Sequence, residues 1–311
     1  MPQLIDLMNS LGQVARGSTL ARLGVTRGAL SRALADSTLF RVRRGWFATG
    51  LADSDQLRAL ALGGRVGCVS ALHRWGAWAG KGNRLHVQLA PNASRLSRER
   101  ASALLGSLAP VPAPGARARS EGDPLQIRAP GMPVLHWSER GSAGRELDWL
   151  EPPQNALAQA LRCQDAEHAL ACIDSVIHHH LLTPASVRSV VLALPRHLHP
   201  LLDEITPAAE SGWETIFIRR VRAGGYRVRP QVVIPGLGRI DGIIEECVGF
   251  EVNGIAFHSG PAQVLRDTSR ILAAQRWDLP MISVNPDHID GDWPGTWDAI
   301  VRVVESARAR S

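Results

Sequence analysis

Two acids set inside apolar runs carry the strongest chemical signal in this 311-residue chain. Asp241 interrupts Arg239-Ile240-Asp241-Gly242-Ile243-Ile244, and Glu251 interrupts Val248-Gly249-Phe250-Glu251-Val252, ten residues on. An isolated acid within an apolar strand costs desolvation energy unless it is paired or metal-bound. On adjacent strands the two carboxylates can converge on one hard divalent cation. Mg2+ is held in this way, by one or two carboxylates with waters and substrate phosphates, and Mn2+ is a ready substitute. Such an ion polarises a scissile phosphate and lowers the pKa of an attacking water. Glu214, on a preceding helix, could reach the same place. Purely structural roles stand beside these: Asp241 could close a strand turn with Arg239, and Glu251 could pair with Arg266 or Arg270.

The elements around these acids can be read from caps and turns. Ser211-Gly212-Trp213-Glu214-Thr215 starts a helix that Gly224-Gly225 ends. Gln231–Ile234 reads as a strand, Pro235-Gly236-Leu237-Gly238 as a turn, and Arg239–Ile244 as a second strand. Glu245-Glu246 is the next turn and Val248–Gly254 a third strand. A helix over Pro261–Ala274, a strand over Pro280–Val284 and a last helix near Trp297–Ala307 complete an αβββαβα order.

The other end of the chain is basic. Residues 1–50 hold seven arginines against Asp6 and Asp36, a surplus of +5 within a formal net charge of +6. Residues 211–311 balance twelve basic against twelve acidic residues. A chain basic at one end suggests that this end meets a polyanion. Leu4, Leu7, Met8 and Leu11 recur at helical spacing. A second short helix is expected over Thr19–Leu23 with Ser18 as its cap, and a third from Thr26 to Ala35. Phe40–Ala48 reads as a hairpin turning at Arg44-Gly45. This order is that of a winged helix-turn-helix, whose third helix enters the major groove while the wing contacts the backbone. Arg27, Ser31 and Arg32 on that helix, and Arg41, Arg43 and Arg44 on the wing, are the expected DNA contacts, since guanidinium bonds guanine edges or phosphates bidentately.

Between the two ends, Asp55–Leu62 and Val69–Trp78 read as helices, and Leu85–Leu89 and residues 133–138 as strands. Residues 108–122 read as a linker. Residues 151–200 carry helical periodicity broken at Pro184 and Pro195. The units expected are therefore a winged helix (1–50), a small α/β extension with linker (51–150), a helical connector (151–210) and a catalytic-type α/β domain (211–311), α+β as a whole. His178-His179-His180 cannot serve one ion, because adjacent helical residues point in different directions. Cys68, Cys163, Cys172 and Cys247 form no CxxC pair and read as reduced, mostly buried thiols of a cytoplasmic protein. No run reaches the roughly 18 apolar residues of a membrane span, so no membrane partner is expected, nor is a secretory signal.

Glu214, Asp241, Glu251-Val252-Asn253-Gly254, His258 and Arg266-Asp267-x-x-Arg270 together resemble a family of restriction-endonuclease-like domains. That family is similar to very-short-patch-repair nucleases, within the PD-(D/E)XK superfamily. The resemblance covers about residues 205–305. It implies metal binding by Asp241 and Glu251, an added acid at Glu214, a base or phosphate contact at His258, and phosphate-positioning or helix-packing roles for Arg266 and Arg270. Asn253 stands where the family usually has Asp and much of the superfamily has lysine. Asn can orient a water but carries no charge. Residues 1–100 resemble the winged-helix N-terminus of AbiEi-type antitoxins through Leu23-Gly24-Val25-Thr26-Arg27, Arg41–Trp46 and Leu85-His86-Val87. The expectation is a DNA-binding protein with a Mg2+-dependent endonuclease domain. The alternative is an antitoxin-type transcriptional regulator whose nuclease fold is non-catalytic and whose partner is a cognate toxin or a second copy.

Overall fold

The computed structural model describes residues 2–80, 84–91, 93, 132–137, 147–253 and 277–310, which form a mixed α+β protein with three small sheets. The expected linker over 108–122, the expected helix over 261–274, and His258, Arg266 and Arg270 lie outside the described residues. The chain divides into two units: Met1–Gly76 with Lys81–Cys163, and Ala77–Gly80 with Gln164–Ser311.

The first unit begins α1 (Pro2–Ser10), β1 (Val14–Arg16), α2 (Gly17–Arg22), α3 (Arg27–Ala35), β2 (Phe40–Arg43) and β3 (Trp46–Ala48). The strands form an antiparallel sheet in the order β1-β3-β2. Leu4, Met8, Leu20, Ala33, Leu39 and Phe47 fill one core between helices and sheet. Thr26 caps α3 as expected, its hydroxyl accepting from the Ala29 N–H at 3.2 Å. Ser18 does not cap α2. Arg16 is still extended and pairs with Trp46, and Gly17 already donates to the Gly45 carbonyl at 2.9 Å, so the helix starts two residues earlier without a side-chain cap. At the hairpin tip Gly45 has φ +78°, which suits the expected turn.

The unit continues with α4 (Ser54–Ala61), β4 (Arg65–Val66), α5 (Cys68–Arg74), β5 (His86–Leu89), β6 (Val134–Trp137) and α6 (Pro153–Cys163). Asp53 and Gln56 close a capping box at the start of α4. The sheet order is β4-β5-β6, with β5 antiparallel to β4 and parallel to β6. All four β5 residues are buried although their pattern alternates, because β5 is the central strand and α5 packs on it.

The second unit carries α7 (Ala166–His178), α8 (Pro184–Leu192), a 3-10 turn (Arg196–Leu198), α9 (Leu201–Glu204), α10 (Gly212–Ala223), β7 (Val228–Ile234), β8 (Gly238–Ile244), β9 (Val248–Val252), β10 (Met281–Val284), α11 (Pro286–Asp290) and α12 (Trp293–Arg308). The sheet order is β10-β9-β8-β7; β10 runs parallel to β9 and the other pairs are antiparallel. Pro184 opens α8 rather than breaking a helix, in the first turn behind a Thr183 cap. Pro230 lies inside β7, which is the edge strand and tolerates a missing N–H. Phe217 of α10 and Phe250 of β9 meet with centroids 4.9 Å apart. Ile216, Val221, Val248, Ile300 and Val304 complete the core around them. His178-His179-His180 finish α7, with His180 at φ +55°. Among the described residues no helix is long and apolar enough to cross a membrane.

Asp174 is the buried charge of this core. It is 1% exposed, and its two oxygens accept from the Thr206 N–H at 2.9 Å and the Thr215 hydroxyl at 2.8 Å. Burial pushes its carboxyl up to about 6, against the hydrogen bonds from Thr215 and Thr206. The folded pKa thus exceeds the unfolded value of about 3.9, so the folded chain binds the extra proton and loses stability as pH rises from about 4 to about 6. Asp174→Asn keeps both hydrogen-bonding positions without the charge. At pH 7.5 it should melt at or above the parent temperature, with a gain of up to about 2 kcal/mol. The advantage should shrink by pH 4.5. A less stable variant at pH 7.5 would show that the charge itself supports the fold.

Candidate functional site

The register of the second sheet brings the predicted acids onto neighbouring strands. Pro230 faces Gly242 and Val232 faces Ile240, so Gln231 stands opposite Asp241. Gly242 faces Phe250 in the last pair of the regular β8–β9 ladder, and Asp241 and Glu251 follow immediately beyond it. Ser283 faces Glu251 from β10. Gln231, Asp241, Glu251 and Ser283 therefore lie on four neighbouring strands, where the regular β8–β9 ladder ends. The ladder opens here. Asp241 Oδ2 accepts from the Val252 N–H at 2.7 Å, so a side-chain oxygen takes the role of a backbone carbonyl. Gln231 sits at φ +50°, a left-handed conformation that costs a non-glycine residue about 1 kcal/mol or more. Next to Asp241, a Cβ on Gly242 would lie 2.6 Å from the Arg229 carbonyl and from the Phe250 ring, so only glycine lets β7, β8 and β9 close this tightly.

Glu214 reaches the same place from the first turn of α10. Ser211 caps that helix by accepting from the Glu214 N–H at 3.2 Å. The Ser-x-x-Glu spacing would let Glu214 close a capping box on Ser211. Its carboxylate goes elsewhere: Oε2 accepts from the Glu210 N–H and from Gln231 Nε2, each at 3.0 Å. Glu214 is 5% exposed, and burial together with the charge of Asp241 pushes its carboxyl up to about 7. That electrostatic coupling ties Glu214 to Asp241 independently of the strand register.

Asn253 ends β9 in an exposed position. Its N–H donates to the Val284 carbonyl at 2.8 Å, and its side-chain amide donates to Ser283 Oγ at 2.7 Å. Arg239 is joined to Glu210 at 2.7 Å. Asp241, Glu251 and Glu214 offer carboxylate oxygens, the donor class that Mg2+ and Mn2+ prefer over soft-ligand metals.

In the first unit, Arg27, Ser31 and Arg32 are exposed on α3, and Arg41, Arg43 and Arg44 are exposed on the β2–β3 hairpin. Arg41 lies over the Phe47 ring, 5.8 Å from its centroid. Arg43 also donates to the Leu60 carbonyl at the end of α4, at 3.2 Å, so part of its guanidinium anchors the hairpin.

Sequence reasoning missed a second group. Cys68, His86, His136 and Cys163 gather in the first unit. Contacts with Cys68 first, then with His136 and His86, hold the Cys163 thiol down to about 2. The four residues come from four elements with wide gaps, so no short motif marks them.

Replacing Glu214 by Gln keeps an oxygen for Glu210 and Gln231 and removes a charge buried beside Asp241. Glu214→Gln should raise the melting temperature in metal-free buffer, a stability gain of about 1 kcal/mol or more. A clear loss of stability would mean that the ionised carboxylate is structural. Comparison of the chain with protein-family models and with curated proteins finds no match.

Proposed function

We propose that the second unit is a metal-dependent endonuclease domain of restriction-endonuclease-like fold, and that α1 to β3 form a winged helix-turn-helix that holds it on DNA. The observation that carries the reading is Glu214 coupled to Asp241, whose carboxylate accepts from the Val252 N–H beside Glu251. Helix α10, the three antiparallel strands, the parallel fourth strand and the closing helix α12 support the reading, with α11 inserted between β10 and α12. Asp241 and Glu251 would hold Mg2+. The bound ion supplies phosphate polarisation and an activated water. Glu214, with its carboxyl near neutrality, can hold or yield a proton beside Asp241. Asn253 ties the end of β9 to β10 through Ser283, and its side-chain oxygen could orient a water. In the first unit, α3 would read the major groove while Arg41 and Arg44 bind phosphate.

The regulator reading has one observation in its favour. The Asn253 amide is spent on Ser283, where an ionisable group would be expected in an active nuclease.

Supercoiled plasmid separates the two. The protein should nick it with Mg2+ or Mn2+ and not with chelator, and Asp241→Ala or Glu251→Ala should lower the rate by roughly 100-fold or more. DNA binding without metal-dependent cleavage, across supercoiled and linear substrates, would favour the regulator. Nicking that persists in both variants would move the site elsewhere.

DNA binding has its own test. Arg27→Ala and Arg44→Ala should each weaken binding and reduce the slope of log K against log salt by about 1. Slopes unchanged in both variants would remove α3 and the hairpin from the interface.

A further inference from the structure

The geometry points to a structural zinc site in the first unit, with Cys68, His86, His136 and Cys163 as its four ligands. One ligand atom from each of these residues lies within 4.8 Å of all the others. His86 Nδ1 and His136 Nε2 are 3.0 Å apart, and Cys163 Sγ lies 3.8 Å from His86 Nδ1. Tetrahedral zinc with sulfur at about 2.3 Å and nitrogen at about 2.0 Å spaces its ligand atoms about 3.3–3.8 Å apart. These two separations need shifts of only a few tenths of an ångström, and the 4.8 Å bound on the others lies about 1 Å above that spacing. Two thiolates and two imidazoles are soft and borderline donors, suited to Zn2+ and unsuited to Mg2+. This site is therefore chemically distinct from the Asp241 and Glu251 carboxylates.

The surroundings are built to hold these side chains. His86 begins β5 and His136 lies on β6, whose parallel register sets Gln88 against His136 and brings the rings into a stack with centroids 5.2 Å apart. The His86 backbone N–H donates to Ser70 Oγ at 3.0 Å. Cys68 is the first residue of α5, at φ +51° and fully buried. A left-handed residue other than Gly, Asn or Asp is uncommon and persists where its surroundings impose it. Gln159 of α6 imposes it: Oε1 accepts from the Cys68 N–H at 2.7 Å, and Nε2 donates to Gln88 on β5. Gly67 completes the fit, since a Cβ there would come within 2.7 Å of that Gln159 oxygen. Cys163 closes α6 and is exposed, which gives a metal a way in.

Four protein ligands leave no open position, so the ion ties α5, β5, β6 and α6 together and takes no part in catalysis. The alternatives are a hydrogen-bonded cluster without metal and a Cys68–Cys163 disulfide.

Full-length protein purified without chelator should contain about one Zn2+ per chain. After zinc removal under reducing conditions, Co2+ should give thiolate-to-cobalt absorption in the near ultraviolet and the intense red-region bands of a tetrahedral ion, both abolished by Zn2+. Cys163→Ser, altered at the exposed ligand, should weaken zinc binding by roughly 100-fold or more, while Cys247→Ser should bind as the parent does. Reduced parent protein that holds no zinc and gives no tetrahedral cobalt spectrum would overturn the site. So would a non-reduced parent whose mass is lower by two hydrogens and which stays metal-free after reduction. The cobalt spectrum of the parent decides the matter even if Cys163→Ser fails to fold. None of these readouts depends on cleavage of DNA.

Discussion

Glu214, on the first turn of α10, and Asp241, on β8, are like charges held close together, and the second unit offsets that cost with hydrogen-bond donors. Glu214 bears most of it, because it is nearly buried and feels the charge of Asp241. Burial and a neighbouring like charge both disfavour its ionised form. The chain offsets this with donors. The Glu210 N–H and Gln231 Nε2 both reach Glu214, the Val252 N–H reaches Asp241, and the first turn of α10 adds the positive end of its helix dipole. Gln231 accepts a left-handed backbone where its side chain reaches Glu214. A fold selected only for stability would place apolar groups here. Local conflicts of this kind gather at functional sites.

The positive charge belongs to a different unit and serves a different purpose. The arginines of α3 and the hairpin stand exposed, above a core of Leu20, Ala33, Leu39 and Phe47. Arg43 shows how the two demands meet, bonding the end of α4 while remaining exposed on the hairpin. The surplus of +5 in the first fifty residues speaks for contact with a polyanion and says nothing about catalysis.

Elements with a strong local signal could be read directly from the residues. Thr26 and Ser211 cap helices where polar residues precede apolar periodicity. The glycine turns at 45 and 236 have the positive φ that separates paired strands. Strand β1 was not legible, because three residues are too few to show alternation and its pairing to β3 is tertiary. Ser18 was misread as a cap for the same reason: the end of β1 displaced the helix start. The helical run is interrupted before Pro184, which opens the next helix. Asp241 and Glu251 could be recognised as acids in apolar strands. Their meeting with Gln231 and Ser283 depends on register, and the path of Glu214 past Ser211 depends on packing. The Cys and His cluster was invisible, since β5 and β6 pair across fifty residues and both cysteines sit at helix ends.

The central claim is that Asp241 and Glu251 form a hard-cation site. The most direct measurement is titration of Mn2+ into the full chain, with its zinc site filled, followed by the electron paramagnetic resonance of free Mn2+. The account predicts saturable binding by the parent, lost in Asp241→Asn and in Glu251→Gln while both variants remain folded. No binding by the parent, or undiminished binding by both variants, would contradict it.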